Sequence, residues 1–164
     1  MTGTDDVDAF WERAKQHLRL NPAPGYFGAS PLEALTPPAW AFGTTDGHAD
    51  ALLTLVFDGT KTATSCAVWD LEAEDEPVPQ VGAMSIVIDS HGTPRAVLVT
   101  TEVAVVPFDR VNAEHAYLEG EGDRSLEQWR TIHQEFFTNH ALHDRGFSPE
   151  MPVVLERFRV LYQE

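Results

Sequence analysis

The stretch AMSIVIDSHGTPRAVLVTTEVAVV, residues 83–106, decides the fold class of this chain. Residues 83–89 are rich in β-branched and apolar side chains and predict a strand. Residues 90–92 (Ser-His-Gly) predict a turn, and residues 94–106 predict a second, longer strand. Two strands joined by so short a turn favour antiparallel pairing, so we expect the rest of the chain to be arranged around a β-hairpin.

Outside the hairpin, the chain is predicted to contain both helices and further strands. Apolar residues at helical spacing predict helices, and Thr- and Val-rich runs predict strands. The predicted helices are 5–19, 48–57, 109–118 and 125–142; the predicted strands are 60–69 and 152–162; the acidic segment 71–82 is predicted to be a loop. Because helices and strands do not alternate regularly, we expect an α+β fold with a mostly antiparallel sheet or small barrel.

The length of 164 residues indicates one domain. Residues 21–38 are rich in proline, which disfavours regular structure across that stretch. We therefore expect residues 1–39, a helix and a proline-rich loop, to pack on a main domain formed by residues 40–164.

The charge balance limits the possible partners. The chain has 26 acidic and 11 basic residues and a net charge of −15, so it repels nucleic-acid backbones at long range. We expect no DNA partner, and any binding of RNA or a nucleotide must occur in a small cleft where basic residues converge. The acidic N-terminus does not resemble a signal peptide, and no run of about 18 apolar residues predicts a membrane span. We expect a cytoplasmic protein.

The first candidate site residue is Lys61, which follows a helix cap and opens a strand among hydroxyl side chains. A partly desolvated lysine has a lowered pKa and serves as a base, or it holds an anion. Strand alternation puts Lys61 and Ala63 on one face and Thr62 and Thr64 on the other. The alternative interpretation is a solvated lysine in a turn.

Two glutamates, Glu102 and Glu156, share the parity of apolar residues on their predicted strands. A carboxylate on a buried face must be paired or protonated, and Lys61, Arg130 and Arg157 are possible partners. A structural ion pair and a cleft carboxylate are both open interpretations of these residues.

The segment 119–130 places Arg124 and Ser125 at the start of a helix, where free backbone amides attract anions. Simple capping by Asp123 or Ser125 explains the same pattern without a ligand. Trp129 at this helix either stacks on a base or packs in the core. His140 and His143 have the spacing of metal ligands, but no cysteine or carboxylate joins them, so we expect neither a metal nor a cofactor.

Taken together, these segments resemble the ASCH domain, and in particular a bacterial branch once described as a domain of unknown function. The resemblance covers roughly residues 40–163. The residues that carry it are Leu53, Phe57, Gly59, Lys61, Thr62 and Thr64; Val81, Gly82, Ser85 and Ile86; Thr101, Glu102, Val103, Pro107 and Phe108; Glu119 to Asp123, Ser125, Leu126, Trp129, Arg130 and His133; and Met151 to Val154, Glu156 and Phe158.

The resemblance implies a fold similar to the PUA fold, which is a compact β-barrel with helices around a cleft. It also implies a function in which RNA or a nucleoside is bound or chemically modified. Some relatives cleave single-stranded RNA, and very small ones hydrolyse the amide of N4-acetylcytidine with a Lys, a Thr three residues later and a Glu. Lys61 and Thr64 match the first two positions, and Glu121 is favoured for the third. Cys66 stands where those relatives carry an arginine.

The resemblance thus predicts a possible hydrolase that binds RNA or a nucleoside-like molecule. In the amide scheme, Lys61 takes the proton of the Thr64 hydroxyl and Glu121 protonates the leaving amine. In the RNA scheme, Lys61 stabilises the phosphate. A binding module without catalysis is the alternative. The remaining residues expected to contact the ligand are Thr62, Arg124, Ser125, Trp129, Arg130, Glu102 and Glu156.

Overall fold

The computed structural model of the chain describes residues 3–18, 35–43 and 46–164. Most of the proline-rich segment 21–38 lies outside the described residues. In chain order the elements are α1 (Thr4–Leu18), β1 (Ala39–Trp40), α2 (Asp46–Phe57), β2 (Ala63–Ala67), α3 (Val68–Ala73), β3 (Met84–Ile88), β4 (Pro94–Pro107), a 3-10 turn (Phe108–Arg110), α4 (Ala113–Glu119), α5 (Leu126–Asn139) and β5 (Pro152–Gln163).

The strands form a five-stranded sheet in the order β1-β3-β4-β5-β2. The predicted hairpin is present as β3 and β4, which pair antiparallel with Ile86 opposite Val97. β2 and β5 are also antiparallel, whereas β1 pairs parallel with β3. The fold is therefore α+β and mostly antiparallel, as predicted. Within the described residues the sheet is open, because its edge strands β1 and β2 do not pair with each other.

The chain divides into two compact units, and the long strands β4 and β5 contribute to both. The first unit contains α1, β1, α2, β3 and the adjoining ends of β4 and β5. Its α1 buries one face, including Phe10 and Trp11, in a cluster with Ile86 and Val97. The bidentate ion pair between Arg13 and Glu164 joins that helix to the end of β5.

The second unit is Asp58–Ala83 together with Thr100–Arg159. Its core is an aromatic and aliphatic cluster from the 3-10 turn, α4, α5 and the strands. The cluster contains Ala67, Phe108, Val111, Ala116, Trp129, Phe137, Met151 and Val153. The candidate functional residues described below all belong to this unit.

Two segments differ from the sequence-based expectation. The predicted loop after β2 begins as the short helix α3, which the acidic composition of residues 70–76 concealed. The predicted helix 109–118 is divided into a 3-10 turn and α4, because Asn112 interrupts it. The Asn112 side chain accepts a hydrogen bond from the backbone amide of His115 at 3.0 Å and so caps α4.

Candidate functional site

The chain around Lys61 is fixed by two backbone hydrogen bonds of the next residue, Thr62. The Thr62 amide donates to the Leu118 carbonyl at 2.8 Å, and the Thr62 carbonyl accepts from the Phe158 amide at 3.0 Å. The chain enters this position through Gly59, whose φ of +83° closes α2 in the left-handed conformation. Lys61 is consequently only 2% exposed. The alternative of a solvated turn lysine is therefore wrong.

Three acceptors surround the Lys61 ammonium. Its Nζ donates to the Ala63 carbonyl at 2.9 Å, the Glu119 carbonyl at 3.3 Å and the Glu121 carboxylate at 3.1 Å. The Glu119 carboxylate lies a little farther away, at 3.6 Å. Lys61 and Glu121, two of the predicted catalytic residues, thus lie in direct contact.

Glu119 is the centre of the cluster, and its carboxylate is almost fully buried. It accepts hydrogen bonds from the Ser65 hydroxyl and the Trp129 indole N–H. Two histidines complete its surroundings: His115 Nε2 lies 2.9 Å away and His133 Nε2 lies 3.4 Å away. β2, α4 and α5 therefore all meet at one carboxylate.

The electrostatics of the cluster favour charged forms of Glu119 and His133. Burial raises the pKa of the Glu119 carboxyl, but the charge of His133, hydrogen bonds from His115 and His133, and the charge of Lys61 hold that pKa well below its usual range. Burial lowers the pKa of His133, yet the Glu119 carboxylate, with a contribution from Glu121, raises it overall. The His133 ring also places Nδ1 2.9 Å from the Trp129 carbonyl, so both ring nitrogens face acceptors.

The loop after α4 approaches Lys61 closely because of Gly120. This glycine has φ +74°, and a Cβ there would lie 2.6 Å from the Thr60 carbonyl oxygen. Arg124, at φ +64°, fixes the other end of the loop. Its guanidinium donates to the Tyr117 and Thr60 carbonyls and lies over the Tyr117 ring. Arg124 therefore holds the loop in place, instead of extending towards a ligand.

Ser65, His115 and Glu119 do not form a hydrolytic triad. In a triad the serine and the carboxylate contact opposite ring nitrogens of the histidine. Here the Ser65 hydroxyl, at 3.1 Å, and the Glu119 carboxylate both face Nε2 of His115, and Ser65 also contacts Glu119 directly. The arrangement fixes the side chains without activating Ser65 as a nucleophile.

A cavity of about 200 Å³ borders the cluster through His115. Its lining residues are Glu102, Val103, Ala104, Val106, Arg110, Asn112, His115, Leu155 and Arg157. Arg157 forms ion pairs with Glu102 and Glu114, each at 3.3 Å, and about a third of its side chain is exposed. Arg110 and Arg157, two of the chain's 11 lysine and arginine residues, therefore line this cavity. Glu102 is the carboxylate among its lining residues.

Glu102 and Glu156 differ in their environment. Glu102 is 65% exposed, so its predicted position on a buried face is wrong. The first residue of β3, Met84, lies opposite Val99 of β4. The part of β4 after Val99, which carries Glu102, therefore has no β3 residue beside it. Glu156 is half-buried, and burial raises its pKa despite a hydrogen bond from Thr100 at 3.2 Å.

Thr64 and Cys66 lie on the opposite face of β2 from Ser65, since neighbours on a strand alternate. Thr64 is in register with Glu156, whereas Ser65 faces the Glu119 cluster. Burial and the charge of Glu156 raise the pKa of the Cys66 thiol to about 12, so it is a poor nucleophile.

The other predicted ligand residues are engaged within the fold. Ser125 caps α5 by accepting from the Gln128 amide at 3.1 Å. Trp129 is 4% exposed and stacks on the His133 ring at 4.2 Å, so it belongs to the core. Arg130 is exposed and donates to the Asp109 and Val111 carbonyls.

The carboxylates and His133 also form a group whose ligand atoms suit a metal ion. The ligand atoms of Glu119, Glu121 and His133 lie within 4.8 Å of one another. The Lys61 ammonium, however, contacts both carboxylates, at 3.6 and 3.1 Å. A divalent cation would be repelled by that ammonium, so the residues present fit an internal cation better than a metal.

The sequence analysis overlooked Ser65 and His115 as members of the site, and it favoured Glu121 over Glu119 within the segment 119–123. His115 and Glu119 are four residues apart on α4, and a histidine and a carboxylate at that spacing share a helix face. That pairing is a signal present in the sequence. Ser65 gives no comparable signal, because its contacts come from other elements.

Comparisons with known proteins agree with this architecture. The family model described as the ASCH domain matches residues 38–162. The chain belongs to the ASCH domain family. A crystal structure of an ASCH domain from Lactobacillus crispatus JV V101 is similar to this ASCH chain, with 27% identity and a TM-score of 0.81, over 98% of this chain and 97% of that one.

A second solved structure, a protein from Enterococcus faecalis V583 whose description assigns it to DUF984, is also similar. It has 28% identity and a TM-score of 0.80, over 95% of the ASCH chain and 88% of its own length. These matches confirm the predicted family and its branch. No curated protein matches the ASCH chain. Among the described residues, no helix is long and apolar enough to cross a membrane.

Proposed function

We propose that this ASCH domain binds a short single-stranded RNA segment or a nucleotide at the cavity lined by Arg110 and Arg157. The observation that carries the proposal is the local concentration of cationic groups: two guanidinium groups line a concave site in a chain of net charge −15. Arginine recognises phosphate through paired N–H donors, and a small cavity limits contact to one or two phosphates.

A phosphate that binds Arg157 must replace one of the two carboxylates paired with it, and the strength of those ion pairs sets the free-energy cost of that exchange. Glu102 and Glu114 are about two-thirds exposed, so their ion pairs with Arg157 contribute little stability. A phosphate can take the place of either carboxylate at the guanidinium. Asn112 adds an amide whose carbonyl oxygen is engaged in capping, which leaves its NH2 group as a donor towards the cavity.

The test is fluorescence anisotropy with a labelled ten-nucleotide oligouridylate. We expect Arg157→Gln and Arg110→Gln each to weaken binding about tenfold, which corresponds to ~1.4 kcal/mol. The matched control is Arg145→Gln, because Arg145 is also an exposed arginine paired with a glutamate, at 3.4 Å from Glu72, but lies outside this cavity.

Salt dependence is the second measurement. Two phosphate contacts predict a slope of about −1.4 for log affinity against log salt, since single strands give roughly −0.7 per contact. Absence of oligouridylate binding, or equal losses in Arg145→Gln and Arg157→Gln, contradicts the assignment. A flat salt response with retained binding indicates a nucleoside without phosphate.

Hydrolysis at this site is the second candidate function. The observation that favours it is His115, which lines the cavity while its Nε2 contacts the buried Glu119 carboxylate. A histidine oriented by a carboxylate can accept or donate a proton beside a bound ribose. The predicted roles of Lys61, Thr64 and Glu121 form a separate scheme, because none of the three lines this cavity. In that scheme Lys61 would exchange its contact with Glu121 for one with the substrate.

Turnover assays on single-stranded RNA and on acetylated cytidine test hydrolysis. His115→Gln and Thr64→Val distinguish the two schemes, because these residues lie on different sides of β2. RNA cleavage that is lost in His115→Gln and kept in Thr64→Val supports the histidine scheme. Amide hydrolysis lost in Thr64→Val supports the nucleoside scheme, and no turnover by the parent protein leaves binding alone.

A further inference from the structure

A second cavity in the same unit, away from the ASCH site, is acidic. It is an open depression of about 620 Å³, lined by Trp69, Glu72, Ala73, Ala141, Leu142, His143, Asp144 and Arg145. Helix α3 forms one wall and the segment 141–145 forms the other.

The charge at this cavity indicates which class of partner can bind there. The carboxylates on α3, on the turn after it and on the opposite wall are Asp70, Glu72, Glu74, Asp75, Glu76 and Asp144. Arg145 is the cationic residue among those that line the cavity. The acidic groups repel phosphate and attract cations, so the surface complements a basic segment and not a nucleic acid.

Arg145 shows which cationic group this cavity accepts. Its guanidinium lies 5.0 Å from the centroid of the Trp69 ring and 3.4 Å from the Glu72 carboxylate. Both side chains of that ion pair are more than half exposed, and such pairs contribute little stability. A guanidinium or ammonium from another chain can therefore replace Arg145 on the indole at small cost.

His143 offers a second, independent contact. Its side chain is 6% exposed, and its Nε2 is buried without a hydrogen bond. The Nδ1 atom accepts from the Arg145 amide at 3.1 Å, which leaves the proton of a neutral ring on Nε2. The carboxylate of Asp70, at 3.6 Å, lies beyond hydrogen-bond distance and already accepts from the Leu142 amide. This N–H suits a peptide carbonyl.

We propose that this cavity is the docking site for an arginine- or lysine-bearing segment of a basic protein, with its cationic side chain on Trp69 and a backbone carbonyl on His143. Leu142, 58% exposed at the rim, adds an apolar contact beside the segment. The site is separate from the phosphate site proposed above and does not depend on it.

The experiment follows the Trp69 indole N–H by NMR in the full-length, 15N-labelled chain. The probe is the blocked peptide Ac-Gly-Arg-Gly-Arg-Gly-Arg-Gly-NH2, and the control peptide has glutamine in place of arginine. We expect a saturable shift with the arginine peptide alone, about tenfold weaker binding in the double variant Glu72→Gln, Asp144→Asn, and no change in the matched surface variant Glu135→Gln. Arg145→Gln removes the internal occupant and tightens binding at least about twofold.

Three outcomes overturn the proposal: no saturable shift, equal binding by the glutamine peptide, or unchanged affinity in the double variant. A uridine 5′-monophosphate arm tests the other class of ligand, and a stronger Trp69 shift with that nucleotide than with the peptide also overturns it. Arg157→Gln is expected to leave peptide binding unchanged, so failure of the RNA proposal and failure of this one are distinguishable.

Discussion

The buried cluster around Glu119 and the cavity beside it differ in how far their charges are already satisfied. Within the cluster, Lys61 has three acceptors and Glu119 has donors from Ser65 and Trp129. In the cavity, Arg157 is held by two largely exposed carboxylates. Buried charges that are fully paired fix a structure, whereas weakly paired charges at a surface can exchange partners with a ligand.

This difference indicates that the Glu119 cluster and the cavity, which share His115, have different roles. The cluster holds β2, α4 and α5 in register, and the cavity presents the groups that a ligand can contact. Substitutions in the cluster should therefore change the free energy of unfolding, and substitutions in the cavity should change affinity. The following predictions test that separation.

Replacement of Glu119 has the largest expected effect. Glu119→Gln removes the buried anion that lies 3.4 Å from His133 and 3.6 Å from Lys61, and breaking a buried ion pair costs about 3–5 kcal/mol. Urea unfolding measures the change. The control is Glu121→Gln, because the Glu121 side chain is 17% exposed and is expected to cost about 1 kcal/mol. Equal losses in the two variants contradict a cluster centred on Glu119.

Gly120→Ala is expected to destabilise the fold by about 2–3 kcal/mol, since it combines a strained backbone with a clash against the Thr60 carbonyl. Gly59→Ala is the matched control. Gly59 has φ +83° with nothing within 4 Å of an added Cβ, so it carries the backbone strain alone, about 1–2 kcal/mol. Thermal or urea unfolding of both variants measures the difference. An equal cost at the two positions shows that the approach to Thr60 does not matter.

The cluster also shows what the sequence could predict. The helix end at Gly59 and the two strands β3 and β4 follow from local patterns, because turn residues and strand alternation act over a few residues. The proximity of Lys61 to the segment 119–130 was implied by the family resemblance, since no local pattern links residues about 60 positions apart. Glu121 was favoured over Glu119 because the partners of Glu119 come from three elements, and burial of a carboxylate depends on how those elements meet.

The same limit explains the error at Glu102. Parity predicts a buried face only where a strand is covered along its whole length. β4 loses its β3 neighbour after Val99, so the parity that holds at Leu98 no longer indicates burial at Glu102. Barrel closure, which the resemblance implied, is not seen among the described residues. It depends on pairing between the edge strands β1 and β2, and local patterns do not fix such long-range pairing.

The pH dependence of stability has an intermediate expected effect. The pKa of His133 is raised in the folded state, so its contribution is fully present below the unfolded value of about 6.5 and is lost as pH rises through the folded pKa. The pKa of Glu119 is lowered, so its contribution is present above about 4.3 and is lost as pH falls through the folded pKa.

We therefore expect maximal stability between about pH 4.5 and 6.5, with a decline above that window as His133 loses its proton. The groups that face His133 are Glu119, Glu121 and the Trp129 carbonyl. Urea midpoints from pH 4 to pH 8 measure the profile, and His133→Gln should flatten its alkaline side. An unchanged alkaline slope in that variant assigns the decline to another group.

Arg110→Gln has the smallest expected effect on stability and the clearest contrast with the cluster. Arg110 is an exposed residue at the end of the 3-10 turn, so its loss should change the free energy of unfolding by less than about 0.5 kcal/mol. Oligouridylate affinity should nevertheless fall about tenfold, or ~1.4 kcal/mol. Both changes, in the free energy of unfolding and in the free energy of oligouridylate binding, should be measured on one preparation of the variant. A loss of stability equal to the loss of affinity would mean that the cluster and the cavity are energetically coupled as one region.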